Sequence, residues 1–149
     1  MMNYRNMLMG IETEKKFERI MIEKGNTLVR SNAQQDIHDH IDYFVNDYSV
    51  DVKSNKDENS IWLELVNVTG KKGWLYGKAD YIAFDMKHLG CFCFFKTFDL
   101  LQVVKDVKEI AKNGTEFFKL YTRKTKKDKI VRVKYTDIEH LEKKKVCYG

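Results

Sequence analysis

The spacing of apolar residues changes period several times along the chain. In IETEKKFERIMIEKG, Ile11, Phe17, Ile20 and Met21 recur on one helical face and Gly25 supplies the stop. That pattern predicts a helix of about three turns with one buried side. NTLVRS (26–31) reads as a short strand and NAQQDIHD as a polar connector. Between residues 40 and 53 the period falls to two on either side of Asn46-Asp47, which predicts a hairpin. SNKDENS is a solvated loop, IWLELVNV (61–68) a strand and GKKG a turn. WLYGKADYIAFDM is a bent strand continuation, and HLGCFCFF (88–95) is another strand. TFDLLQVVKDVKEIAKNG places Leu100, Leu101, Val104, Val107 and Ile110 on one face, with Asn113-Gly114 closing a second helix. FFKLYTRK and KIVRVKYT form a last hairpin about the basic turn KTKKD, and TDIEHLEK a short terminal helix capped by Thr136. Helix, strands, helix and two strands predict an α/β fold with one mixed sheet flanked by helices.

A length of 149 residues suits a single domain spanning 1–149. With 43% hydrophobic and 33% charged residues, the composition excludes disorder. The chain has no run of 18 apolar residues, which excludes a membrane span. The opening MMNYRNMLMG has one arginine and no small-residue cleavage site, so it reads as a poor leader. Cys91, Cys93 and Cys147 are odd in number and lack zinc-site spacing, which predicts reduced thiols in a cytoplasmic protein.

The net charge of +5 is unevenly placed. Residues 119–149 hold 11 Lys/Arg against 4 Asp/Glu, whereas the first 118 hold 16 against 18. A basic hairpin and tail over about 117–149 therefore suggests a polyanion-contacting face, with a solvated lysine-rich tail as the plainer reading. The candidate phosphate contacts are Arg123, Lys124, Lys126 and Lys127 on the last turn, together with Lys71 and Lys72 beside Trp74 in GKKGW.

The hairpin carries the candidate chemistry. With Asn46 and Asp47 as turn residues, Val45 faces Tyr48, Tyr43 faces Val50, Asp42 faces Asp51 and His40 faces Lys53. One face shows Ile41, Tyr43, Val45, Tyr48, Val50 and Val52, a core face. The other brings Asp42 and Asp51 to roughly 5 Å between Cβ atoms, where two carboxylates repel by about 3 kcal/mol at an effective dielectric near 20. A divalent cation such as Mg²⁺ relieves that repulsion, because it takes carboxylate oxygens together with waters and substrate phosphate. Lys53 would then offset charge developing at phosphorus.

Asp42-x₈-Asp51-Val-Lys53, behind a helix carrying Glu14, resembles the PD-(D/E)xK nuclease superfamily, and in particular its small phage-type members. The resemblance covers about residues 10–95. Ile41 stands where the family's proline would precede the first acid, and the second helix fits the pattern loosely. It implies a restriction-endonuclease-like core and Mg²⁺- or Mn²⁺-dependent cutting of DNA, or less often RNA. It also implies metal ligation by Asp42, Asp51 and Glu14, with Lys53 as the catalytic lysine. Glu14 shares a helical face with Phe17 and Met21, and Glu18 lies one turn further on. His40 would act as an acid, a base or a phosphate contact. A small single domain favours structure-selective or nonspecific endonuclease cutting, and paired cuts would call for a homodimer.

The alternative is a catalytically inactive nuclease-like fold that binds nucleic acid or protein. Glu64 and Asp80 are weaker acids, each read first as structural. DIHDH (36–40) reads as a polar approach to the hairpin rather than a metal site.

Overall fold

The computed structural model describes residues 4–149, with side chains from residue 7 onward. Residues 1–3, part of the stretch weighed as a leader, lie outside the described residues. Helix α1 (Tyr4–Glu23) ends where Gly25 adopts φ 85° and the Asn26 N–H returns to the Met21 carbonyl at 3.0 Å. Two short strands, β1 (Leu28–Arg30) and β2 (Tyr43–Val45), flank helix α2 (Ala33–Asp39), and β3 (Tyr48–Asn55) completes the first meander. After β4 (Ser60–Val66) come β5 (Tyr81–Met86), β6 (Cys91–Lys96) and helix α3 (Thr97–Val104). The chain ends with β7 (Leu120–Tyr121), β8 (Lys129–Lys134), helix α4 (Tyr135–Ile138) and β9 (Glu142–Cys147).

The strands divide between two sheets. Six form a mixed sheet in the order β1-β2-β3-β5-β6-β9, in which only β3 and β5 run parallel. The other three form an antiparallel sheet in the order β4-β8-β7. Phe17, Ile20 and Met21 of α1 bury against Tyr43, Val45, Val50, Val52, Phe92 and Phe94 on one face of the large sheet. On its other face Ile82, Phe84 and Phe95 meet Ile61, Leu63, Val131 and Val133 of the small sheet, with Leu100 and Val104 of α3. The result is an α/β fold with a mixed sheet flanked by helices, as expected, but with a second sheet packed on it.

Several local expectations need correction. Helix α1 runs 20 residues, well beyond three turns. The supposed connector NAQQDIHD forms α2, because Asn32 accepts from the Gln35 N–H at 2.8 Å while the Gln35 side chain accepts from the Asn32 N–H at 3.0 Å. The second helix stops at Val104, not at Asn113-Gly114, and Val107 still reaches the core as irregular chain. Helix α4 starts at Tyr135 with no side-chain cap, so Thr136 lies inside it. WLYGKADYIAFDM is not one bent strand; it is a single 3₁₀ turn over Trp74–Tyr76, a loop and then β5.

The reading of three reduced thiols also fails. Lysine-rich β9 pairs with β6 and sets Cys147 opposite Cys91, and the two form a disulfide. Cys93 is the free, buried thiol, pushed up to about 12 by burial and by its neighbour Glu142. Among the described residues no helix is long and apolar enough to cross a membrane.

Phe17 is fully buried and contacts the rings of Tyr43, Phe92 and Phe94. Phe17→Ala is expected to destabilise the fold by about 3–5 kcal/mol, read from urea denaturation midpoints at unchanged m-value.

Candidate active site

The β2–β3 hairpin keeps the expected register for three rungs: Val45–Tyr48, Phe44–Ser49 and Tyr43–Val50. Of the two turn residues, Asn46 alone takes a left-handed conformation, with φ 52°. Beyond Tyr43 the ladder changes. The Asp42 N–H donates to the Val50 carbonyl at 2.9 Å, and the Asp42 carboxylate accepts the Val52 N–H at 2.7 Å. A side chain thus replaces a backbone carbonyl, and Asp42 leaves the sheet just before β2 begins. Asp42 and Asp51 are therefore not regular cross-strand partners, yet they remain electrostatic neighbours. Burial raises the pKa of Asp42, and the negative charge of Asp51 raises it further.

Alternation along β3 sends Val50 and Val52 toward α1 and sends Asp51 and Lys53 toward the small sheet. The Asp51 side chain is only 4% exposed, and Lys53 Nζ sits 3.3 Å from its Oδ1. Its Oδ2 is buried without a hydrogen-bond partner. Burial holds the Asp51 carboxyl above the usual carboxylate range, against the pull of Lys53. For Lys53, burial works against the charged form, but Asp51 and Asp42 outweigh it and raise its pKa. Lys53 thus gains from the pair, while burial still disfavours the charge on Asp51.

The turn after β4 roofs this pair. Gly73 lets the backbone pass so close to Glu64 that a Cβ there would lie 2.6 Å from the Glu64 carbonyl oxygen. Gly77 does the same beside His40, where an added Cβ would lie 2.7 Å from the His40 Cβ. Wedged between them, Trp74 donates its N–H to Glu64 Oε1 at 3.3 Å and presents its ring 5.1 Å from Lys53 Nζ. A cavity of about 320 Å³ opens here, lined by Lys53, Asn55, Asp57, Trp62 and Trp74. A second, of about 350 Å³, is lined by Trp62, Glu64, Trp74, Tyr121 and Arg123. Glu64 stands on the small sheet rather than beside β3 in the large one. Burial raises its pKa, and the charge of Lys53 opposes that rise.

His40 caps the C-terminus of α2 in a left-handed conformation, with φ 55°. Burial and the charge of Lys53 lower its pKa, so the neutral imidazole faces the acid cluster at neutral pH. Asp36, one turn earlier on α2, joins that cluster; burial and its contact with Asp42 raise its pKa. The Asn32-x-x-Gln35 capping spacing is the sequence signal for α2, and hence for this placement.

Glu14 is carried by α1, over the face of the sheet opposite to Asp51 and Lys53. It pairs with Arg30 at 3.3 Å, and Arg30 also reaches Glu18 at 3.4 Å. Burial, then the charge of Asp42, raises the Glu14 pKa to about 7 despite Arg30. Among the described residues no three His, Cys, Asp or Glu side chains make a ready metal cage. Asp80 is structural: its carboxylate accepts the Ser49 N–H, and its own N–H donates to the Ser49 hydroxyl, both at 2.9 Å.

The two basic turns predicted as phosphate contacts lie against each other. The Lys127 N–H donates to the Val68 carbonyl at 3.2 Å, and Val66 pairs with both Lys72 and Lys129. Lys71, Lys72, Lys124 and Lys127 are exposed on this lobe and Lys126 is half-buried. Arg123 is held differently: its Nε lies 2.7 Å from Asp128, which is fully buried.

Comparison with protein-family models, curated proteins and solved structures returns no match to this chain.

With its pKa at about 7, Glu14 keeps in the folded state a proton that the unfolded chain releases near 4.5. Folding stability attributable to Glu14 is therefore full below about pH 4.5 and is lost as pH rises through about 7. Glu14→Gln is expected to flatten the fall in melting temperature between about pH 5 and pH 8. An unchanged slope would show that Glu14 ionises like an exposed glutamate.

Proposed function

We propose that the chain is a metal-dependent nuclease of PD-(D/E)xK type, cutting phosphodiester bonds in nucleic acid, most readily DNA. One observation carries this reading: a deeply buried aspartate has an oxygen that meets no N–H or hydroxyl donor and lies instead against a second carboxyl, Asp42, beside a lysine. The two other fully buried aspartates have both oxygens satisfied. Asp85 accepts from Lys16 and Tyr148, and Asp128 from the Arg123 side chain and backbone N–H.

A hard divalent cation fits this donor set, since Mg²⁺ is commonly held by one or two carboxylates with waters and substrate phosphate completing its shell. Asp51 Oδ2 and Asp42 would hold Mg²⁺ or Mn²⁺, with Asp36 next to Asp42. Glu14 would contribute only on giving up Arg30. When bound, the ion supplies positive charge to the scissile phosphate and lowers the pKa of an attacking water. Lys53, fixed by Asp51 and by the Trp74 ring, places a cation where charge develops at phosphorus. Neutral His40 is suited to accept a proton from water. The lobe carrying Lys71, Lys72, Lys124, Lys126 and Lys127 would grip the phosphate backbone, with a corresponding dependence on salt. The strand order around β2, β3 and parallel β5 is compatible with a restriction-endonuclease-like core whose crossover passes through the small sheet.

The test is incubation with plasmid, linear duplex, branched DNA and RNA in Mg²⁺ or Mn²⁺. Asp51→Asn is expected to lower cutting at least about a hundredfold; it also takes the counterion from Lys53, so a lower melting temperature is expected with it, and stabilisation by Mn²⁺ separates loss of the site from loss of the fold. Binding that persists in the wild-type protein while no substrate is cut would favour the inactive binding module instead. Mn²⁺ at ten times its Kd is expected to stabilise the wild-type fold by about 1.4 kcal/mol and Asp51→Asn by much less, read from thermal unfolding.

A further inference from the structure

On the far side of the Trp74 turn lies a separate cavity of about 590 Å³, whose lining includes none of the acid cluster. Tyr48, Tyr76, Tyr81 and Phe98 wall it, and Thr97 and Lys96 line it. Two of the rings are exposed, Phe98 at 68% and Tyr76 at 44%, and Lys72 Nζ sits over the Tyr76 ring at 5.4 Å from its centre. Tyr48 and Tyr81 pack edge to face at 5.1 Å on that wall. Thr97 is only 5% exposed, and its hydroxyl has no hydrogen-bond partner. With Asp51 Oδ2 it is one of two such buried side-chain atoms among the described residues.

We propose that this cavity is a subsite for a single unpaired nucleobase of the substrate strand. The proposal rests on the nuclease reading and narrows it to nucleic acids that expose unpaired bases: single strands, flaps or junctions. Open aromatic rings offer stacking that every base accepts, because each base has a π face. The Thr97 hydroxyl is closed to solvent in the cavity wall; a base that displaces its cover meets a group that both donates and accepts, which suits recognition without sequence preference. Lys96 lines the same opening and is exposed, which supplies a cation for the flanking phosphate. One 3₁₀ turn joins the two sites: Trp74 faces Lys53 at its start, and Tyr76 walls this cavity at its end. A strand lying across that turn would set a base in the cavity and a neighbouring phosphate by Asp51 and Lys53. A paired base, stacked inside a duplex, does not present its face to the rings.

The test is binding rather than cutting, measured in EDTA on a short oligothymidylate, on an abasic strand of the same length and charge, and on a blunt duplex. Phe98→Ala removes an exposed ring and is expected to weaken oligothymidylate binding roughly tenfold, leaving the abasic strand and the duplex unaffected. Thr97→Val preserves volume and is expected to weaken oligothymidylate binding in the same selective way. Equal loss on the abasic strand, no loss on any strand, or no binding of oligothymidylate by the wild-type protein would overturn the proposal. Cutting in Mg²⁺ is scored separately. Cutting without base-dependent binding sinks the subsite and keeps the nuclease, and base-dependent binding without cutting does the reverse.

Discussion

The ion pair between Asp51 and Lys53 is the constraint around which the site is arranged. Strand β3 lies inside the large sheet with α1 over one face and the small sheet facing the other, so its polar side chains must find partners within the protein. A spacing of two residues gives Lys53 the same face as Asp51, and the strand supplies its own counterion. That solution satisfies one carboxylate oxygen and leaves the ammonium needing cover on its other side. Trp74 provides the cover, and Gly73 and Gly77 are the residues that let its turn fit. The small sheet, which the site requires as a roof, is held in place through β4 and its contact with that turn.

The charges are segregated by the same architecture. Asp36 and Asp42 interact with both Glu14 on the α1 side and Asp51 on the other face of the sheet, and each of the four has its pKa raised, first by burial. The lysines of the two basic turns gather on the small sheet, where β4 and β8 pair and the Lys127 backbone bonds to Val68. A polyanion resting on the lysine lobe would have the Lys53 and Trp74 cleft on its path to the acids. The acids repel one another, and a polyanion alone would be repelled by them too. On the proposed reading, a bound divalent cation offsets that repulsion.

What could be read from the sequence followed the range of each signal. Short-range alternation around Asn46 predicted the hairpin register, and three of its rungs hold. The departure at Asp42 was not legible, because it depends on a side chain taking over a backbone acceptor in three dimensions. The apolar face of α1 was readable from Phe17, Ile20 and Met21. Sheet membership was not: β4 alternates like any strand, and only its pairing with β8, far along the chain, separates it from β3. Strand β9 was hidden by composition, since EKKKVC looks like a solvated tail until β6 offers it an edge. Missing β9 meant missing the partner of Cys91. Asp51 and Lys53 were visible as a pair, whereas the unpaired oxygen that singles out Asp51 could be seen only once its neighbours were placed.

Three aspartates are buried in one small domain, and comparing them separates structural from functional burial. Asp85 stands on β5, the strand next to Asp51, with its side chain on the opposite face of the sheet. Lys16 reaches it from α1 at 3.0 Å, and Tyr148 reaches it from just beyond β9. Asp128 is closed off by Arg123 in the same complete way. Leaving a buried acceptor unmet costs about 1–3 kcal/mol, and a charged one costs more. A chain with 27 lysines and arginines has ample means to remove that cost at Asp51, as it does at the other two. It leaves the oxygen without a donor at the aspartate that adjoins a second carboxylate and a lysine, and that lysine lines the neighbouring cavity. Two things can meet that oxygen: a proton shared with the neighbouring Asp42 carboxyl, or the cation of the proposed reading, and only the second changes with added metal.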